Sequence, residues 1–556
     1  MKKALAIILS LVLMLSMLAG CTSQQSEAPA PEPTDPGNLS NVYQQDVVAE
    51  NDTTEEADRY GGTFKMNYSS PTNSLDPAQF YTNQNTTPGY HIFEGPVVLD
   101  DKGQVWPCVC YYEVSEDGKD ITFKVREGVK FHNGDTVDVY DVVASIERSI
   151  IWSSKMQANF GDYIVDYETP DDMTVIYHLS EMAPLALIMM GDITSVCKIM
   201  PKEIVDKMGP EGLITEDADI IGTGPYKLGK WERDVSVQLD RFEDYEPFES
   251  GGTGPAAPKK GYFDSIFINV AGDSLTRTTG MIAGEYNYTT GTVADMTPDL
   301  EAAGCWVSIN WNCWSPTIMF NLSEENKDSI VQNVDFRRAV WAAMDFYAYR
   351  AVCPRAPEYY KVDSCIVPDT SVYYNDILPR DNSQYNLDLA KEYLEKSGYN
   401  GETITWICSE SDSYYSMSLP CSQMLQAIGV NVDLQVHESA TYEQEYVTPS
   451  SEWDICAREN QKPTVNPMLS DRYVSGNITG WWESEARTAA LKKLSTTAAG
   501  SPESVAAFKE FCEAVKDEVP YIICLEFGTP CWYSNNIVPV RSGINVYWWN
   551  SYFKPE

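Results

Sequence analysis

Apolar positions along this chain fall into three regimes. Residues 4–15 form an apolar run behind Lys2 and Lys3. The run is too short to span a bilayer, and its basic flank is that of a secretory signal. Residues 22–59 then lose all apolar periodicity. Pro29, Pro31, Pro33 and Pro36 give way to Asp46, Glu50, Asp52, Glu55, Glu56 and Asp58. Such a stretch buries too little surface to offset its chain entropy, so a disordered tether is expected. From Gly61 the pattern becomes periodic and a folded body begins.

Within that body, strand and helix periods mix. Residues 61–68 alternate after their glycines and predict a first strand. Residues 111–126 predict a hairpin turning at Glu116-Asp117-Gly118-Lys119, with Ile121, Phe123 and Val125 on one face. Thr136 is placed to cap a helix whose stripe is Val139, Val142, Val143, Ile146 and Ile150. Residues 235–239 alternate again. A helix over 387–397 starts at an Asn386 cap and stops at Gly398. The mixture predicts an α/β or α+β class, and no internal repeat is visible.

The stretch from Gly61 to Glu556 is too long for one ordinary core, so two or three domains are expected. No later apolar segment is long enough to cross a membrane. Against 81 acidic residues stand 40 basic ones, a formal net charge of −41 that deepens once Lys2 and Lys3 leave with the signal. Such a surface repels nucleic acid and anionic headgroups, which argues against a DNA or RNA role. Of the 14 cysteines, those other than Cys21 number 14 − 1 = 13, an odd count for an exported chain. Buried thiols acting as small hydrophobes are the leading expectation. A few disulfides are the alternative, and spacing does not choose among them.

Catalytic and cofactor patterns are missing from the sequence. His91, His132, His178 and His437 are the 4 histidines, and none lies in a metal-ligand frame. No nucleophile elbow occurs. Residues 224–231, G-P-Y-K-L-G-K-W, depart from a phosphate loop at Trp231 and Pro225. Neither a cofactor nor a metal is expected, and binding is favoured over catalysis.

Two resemblances sharpen the picture. L-A-G-C at 18–21 resembles a bacterial lipobox, which implies cleavage before Cys21 and lipidation there; an ordinary signal peptide ending in cysteine is the alternative. Further on, E-G-P-V-V-L-D-D-K-G-Q-V-W-P at 94–107 and V-S-E-D-G-K-D-I-T-F-K-V-R-E-G-V-K-F-H-N-G-D at 114–135 resemble blocks of the family-five bacterial extracellular solute-binding proteins. D-V-V-A-S-I-E-R at 141–148, G-T-G-P-Y-K-L-G-K-W at 222–231, V-D-F-R-R-A-V-W-A-A-M-D at 334–345 and A-K-E-Y-L-E-K-S-G-Y at 390–399 continue the series in order. The resemblance implies a two-lobe, three-domain clamp that encloses ligand by hinge closure. Signal peptide (1–20) and lipidated stalk (21–59) would precede it. Domain I would comprise 60–105, 222–304 and 526–556, domain II 106–221, and domain III 305–525.

Peptide-binding relatives hold the ligand's amino group with an aspartate on a loop after an aromatic-Asp strand. Here Trp453-Asp454 matches the strand, but Pro463 falls where the acid is expected. Glu459 is the only acid of the following stretch, and Arg458, Asn460 and Gln461 suit a polar ligand. Thr290, Gly291 and Thr292 follow Gly284-Glu285, where glycine would let backbone amides approach a ligand. Asn312 and Trp314 precede a strand at 317–321, and an aromatic platform suits peptide side chains or sugar faces. A core position is the alternative for Trp311 and for Trp314. Tyr414 and Tyr415 are weaker candidates, and Trp481-Trp482 either line the cleft or pack between domains.

The function these features imply is that of an ABC importer's binding lipoprotein for oligopeptides or dipeptides. It would be a monomer on the outer face of the cytoplasmic membrane, tethered by lipid alone and served by permease and ATPase subunits. An oligosaccharide or another polar metabolite is the alternative ligand. A lipid-anchored hydrolase and a peptide sensor that does not transport are the alternatives from other classes.

Overall fold

A computed structural model describes residues 53–353, 359–410, 412–463, 466–470, 472–474, 480–539 and 546–555; the side chains of 312, 313, 412 and 413 lie outside that description. The signal, Cys21 and nearly all of the expected tether are likewise outside it. The tether's last residues do not follow expectation. Glu56–Arg59 forms one 3-10 turn. Arg59 stands over the Tyr552 ring at 4.8 Å, and Lys260 pairs with Glu56 at 3.3 Å. Ring and ion contacts hold this turn, and an apolar-period reading does not see them.

The predicted elements form for the predicted reasons, with one shift. Thr63–Tyr68 is a strand burying Phe64 and Met66. Cys110–Val114 and Asp120–Val125 pair antiparallel across the expected turn. Leu387–Ser397 is capped by Asn386, whose side chain accepts from Leu389 N–H, and ends at Gly398 with φ 76°. The helix Val139–Trp152, however, is capped by Asp138 and not by Thr136. The Asp138 carboxylate accepts from the Tyr140 and Asp141 amides, and Asp141 bonds back to the cap's own N–H. Thr136 sits two residues too early for such a reciprocal box.

One long sheet orders its strands Asn431–His437, Thr403–Ser409, Ile455–Gln461, Trp306–Phe320, Glu526–Tyr533, Tyr288–Thr290, Thr63–Tyr68, Ser265–Val270, Ser236–Arg241 and Tyr226–Glu232. A separate antiparallel sheet joins Cys110–Val114, Asp120–Val125, Thr174–Leu179 and Ile164–Asp171. The protein is thus a mixed α/β chain folded as a two-lobe clamp. Two strands, Trp306–Phe320 and Glu526–Tyr533, change partners along their length. Residues 306–310 pair with 529–533, residues 314–320 pair with 455–461, and the register slips between Asn310 and Trp314. At this crossing Gly528 has no room for a side chain, since a Cβ would lie 2.3 Å from Ile309 Cγ2.

Apolar side chains gather into separate cores. One joins Phe64, Tyr226, Phe263 and Trp548, and another joins Phe123, Val142 and Tyr177. Beyond the crossing, Ile318, Trp406 and Ile455 face one core, while Met319, Ile407 and Cys456 face a second. Neighbours in sequence take opposite faces, as strand pleating requires.

The motifs that carried the resemblance are joints. Arg148 pairs with Asp76 at 2.9 Å, both buried, and Asp76 also accepts the Ile214 amide at 2.8 Å. Arg337 donates to the carbonyls of Val331, Gln332, Glu518 and Val519. In the G-T-G-P turn, a Cβ on Gly222 would meet Ile92 O at 2.2 Å, and one on Gly224 would meet His91 O at 2.3 Å.

Twelve cysteines are described, all unbridged, and only Cys353 among them is less than buried. Burial pushes the Cys197 thiol up to about 11 and the Cys456 thiol to about 12, so neither forms a thiolate at neutral pH. Ellman titration of the native protein, purified anaerobically without added reductant, should therefore label almost none of these thiols within minutes, and denaturant should release them all. A reagent-silent denatured chain would mean bridges instead.

Candidate functional site

Beside the strand crossing lies a cleft of about 550 Å³. Its floor comes from the segment near the N-terminus. Asp76 caps the 3-10 turn Pro77–Gln79 through the Ala78 amide at 2.8 Å, and the helix Asn83–Ile92 follows. Thr82, Thr86 and Thr87 face the cleft with Tyr68 and Tyr90. Tyr68 donates to Thr87 Oγ1 at 2.6 Å, and Tyr90 donates to the Val546 carbonyl. Burial raises both phenols, so this floor is neutral at physiological pH. Asp192 and Thr194 enter from the neighbouring antiparallel-sheet region, and Asn310, Trp314, Gln461 and Asn466 close the far wall.

Behind that wall lies an ionic cluster. Lys462, which lines the cleft, bonds Glu526 Oε2 at 2.9 Å and the Asp363 carbonyl at 3.2 Å, with the Asp363 carboxylate 3.9 Å away. Tyr374 donates to Asp363 Oδ2 at 2.8 Å. All three ionic side chains are buried. Burial opposes the Lys462 charge, yet Glu526 and Asp363 together hold its ammonium above the ordinary range.

The expected contact residues divide. Thr290, Trp314 and Gln461 lie on the cleft. Trp314 is paired with Gln461 across the strands and remains 37% exposed, so it is not a core residue. Asn312 has an undescribed side chain. Residues 455–461 are a strand, where a loop had been expected, because they pair residue for residue with 314–320. Pleating then separates the four candidates. Arg458 is buried with its guanidinium 4.2 Å over the Tyr446 ring, and Asn460 is buried near Met319 Sδ at 3.8 Å. Glu459, opposite Pro316, is half-buried and is not among the cleft-lining residues. Pro463, where an acid had been sought, does line the cleft.

Gly291 has φ 62°, but the space beside it is filled by Arg277, whose Nη2 would lie 2.8 Å from a Cβ. Arg277 donates to the carbonyls of Thr290 and Gly291 at 3.0 and 2.7 Å. The glycine thus admits an arginine of this chain, and Thr292 beside it is half-buried away from the cleft lining. Tyr414 and Tyr415 lie within the helix Asp412–Ala427, not before it, and Tyr414 packs 5.7 Å from Tyr442. Trp482 is core, donating to Glu518 Oε2 at 2.6 Å, while Trp481 packs 6.0 Å from Trp453.

Sequence reasoning missed the floor, Asp192 and Lys462. A signal for the floor existed: residues 83–88, N-Q-N-T-T-P, put polar side chains on the buried face of a helix, with Asn85, Thr86 and Thr87 all buried. Buried hydroxyls and amides at helical spacing point to a polar cavity.

Comparison with known proteins agrees with this architecture. The model of bacterial extracellular solute-binding proteins, family 5, matches residues 105–470. The chain belongs to that family. A probable peptide ABC transporter periplasmic-binding protein of Sinorhizobium fredii is 25% identical over 391 residues, covering 65% of this chain and 67% of its own. The periplasmic oligopeptide-binding protein of Salmonella typhimurium is 29% identical over 203 residues, 33% of this chain and 36% of that protein. The chain therefore aligns with little more than a third of the latter. Among solved structures, a Helicobacter pylori ABC transporter-associated periplasmic binding protein in complex with peptide STSA superposes with a TM-score of 0.68 at 20% identity, covering 90% of this chain and 99% of that one. Among the described residues no helix is long and apolar enough to cross a membrane.

Proposed function

We propose that this protein is the extracellular receptor of an ABC importer and that it captures short peptides without turning them over. Cys21 carries lipid and holds the body at the outer face of the cytoplasmic membrane. The monomer closes on ligand and delivers it to permease and ATPase subunits. The observation that carries this reading is the aromatic-floored cleft beside the strands that change partners at the crossing. Closure about those strands encloses whatever binds there. Separate cores on either side of the crossing support domain I at 60–105, 222–304 and 526–556, domain II at 106–221 and domain III at 305–525. The peptide-binding names of the relatives favour peptide. The density of threonine, asparagine and tyrosine on the lining also suits an oligosaccharide, which is the second reading.

Native mass spectrometry of the mature protein with an equimolar tripeptide mixture tests this directly. Retention of peptides at unchanged mass is expected, and hydrolysed products would sink the receptor reading in favour of a hydrolase. Trp314→Ala should weaken the retained peptide by about 1–2 kcal/mol through lost ring contact. Glu459→Gln, away from the cleft, should leave it within about 0.5 kcal/mol.

A further inference from the structure

Two of the described cleft-lining side chains are ionic, Asp192 and Lys462. Lys462 has nothing to offer an anionic ligand. Its ammonium is already held by Glu526 at 2.9 Å and by Asp363, and its side chain is fully covered. Asp192 is differently placed. Its Oδ1 accepts both the amide and the hydroxyl of Thr194, at 2.8 and 2.7 Å. Among the described residues no hydrogen bond reaches its Oδ2.

The cations near these acids do not cancel them. Lys198 stands behind Asp192, but it bonds the Asp192 carbonyl at 3.1 Å, not the carboxylate. Burial pulls the Lys198 ammonium down to about 8 while the Asp192 charge opposes that shift, so Lys198 stays charged at neutral pH and enters the balance. Arg380 lies beyond Tyr374, 5.3 Å over its ring, and is solvent-exposed. Its charge is therefore screened. Among the described residues, Asp192, Glu526 and Asp363 against Lys198 and Lys462 leave one negative charge in excess in this group. Glu526 Oε1 is buried with no partner among the described residues.

We propose that the cleft selects ligands bearing a cationic group, an ammonium or guanidinium, and that Asp192 Oδ2 is its partner. The proposal rests on the cleft being the ligand site. Among the described lining residues an anionic ligand would meet the Asp192 carboxylate and no cation but the already paired Lys462, which is rejection by an uncompensated charge. A cation completes the balance. Thr194 fixes the Asp192 carboxylate in advance, so little ordering is needed on binding.

The test compares three forms of one tripeptide mixture by calorimetry and native mass spectrometry. These are the C-terminal amides with free amino groups, the N-acetyl amides, and the N-acetyl acids. Wild-type protein should bind the cationic form at least tenfold more tightly than the neutral form, and the anionic form least. Asp192→Asn, which keeps an Oδ1 acceptor for Thr194, should erase the tenfold preference without weakening the neutral form. Asp192→Glu should retain part of it. Equal affinity for cationic and neutral forms in wild type overturns the proposal and leaves the peptide reading standing. If no peptide form binds, the peptide reading falls. The same comparison between glucosamine and N-acetylglucosamine then decides, with absence of preference for the amine overturning the proposal.

Discussion

Lys462→Met should lose about 3–5 kcal/mol of stability, the usual cost of removing one partner from a buried ion pair. The methionine fills a similar volume, so the loss is electrostatic. Glu526 and Asp363 would be left buried without their ammonium, and Glu526 already has one oxygen unpartnered. Tyr374 supplies Asp363 with a hydrogen bond but no charge. In urea the midpoint should fall while the slope stays constant, because the area exposed on unfolding does not change. A second change, Glu526→Gln in the Lys462→Met background, should recover part of the loss. A single variant within about 1 kcal/mol of wild type would mean that water enters the cluster and solvates the carboxylates. The same cluster joins two strands of the cleft wall. The strands Ile455–Gln461 and Glu526–Tyr533 do not pair directly, and Lys462 ties the end of one to the start of the other.

Much of the architecture was readable because local signals agreed with tertiary placement. Alternation at 63–68, the Asp117-Gly118 turn and the Asn386-to-Gly398 helix each carry their own stop and start. The resemblance motifs were readable for a different reason. Arg148, Arg337, Gly222 and Gly224 meet unique partners across the fold, so their identities are constrained. The site was less legible. Arg458, Glu459, Asn460 and Gln461 looked like one polar loop, yet strand pairing with 314–320 turns alternate residues to opposite faces. Gly291 looked like a ligand contact, while the group it admits is Arg277, 14 residues from it in sequence. Asp192 and Lys462 carry no motif at all. One is an acid among many in an acidic chain, and the other acquires its meaning only from Glu526 and Asp363, which lie far along the sequence.

Acid should destabilise the protein through two buried histidines, above the ordinary carboxylate range. His91 and His132 are both buried in their neutral forms. His91 Nδ1–H donates to Thr87 O at 2.7 Å, and its Nε2 accepts the Trp548 amide at 3.0 Å. His132 Nε2–H donates to Gly224 O at 3.0 Å, and its Nδ1 accepts the Gly222 amide at 3.3 Å. Each ring therefore has one nitrogen that must stay unprotonated. Burial lowers His91 to about 3 and His132 to about 4. The unfolded chain takes up protons near pH 6.5 that the folded chain refuses, so stability is full above that value and falls as pH drops toward 4. Asp141 acts in the opposite sense. Burial raises it to about 6, so the folded state protonates first and gains stability between pH 6 and its ordinary range. Two histidines against one aspartate leave a net loss of about 1.4 kcal/mol per pH unit there, or roughly 3 kcal/mol between pH 6 and 4. Urea midpoints at pH 7.5, 6, 5 and 4 measure the slope. His91→Gln should flatten it by one group's worth whatever its effect at pH 7.5, and an unchanged slope would remove His91 as a sensor. His91 also sits against the cleft, because Thr87 lines its floor and Trp548 follows Val546 on its rim. The folded chain accepts a proton on His91 only near pH 3, so the affinity of the folded protein should not change through His91 between pH 6 and 4, while the folded fraction falls.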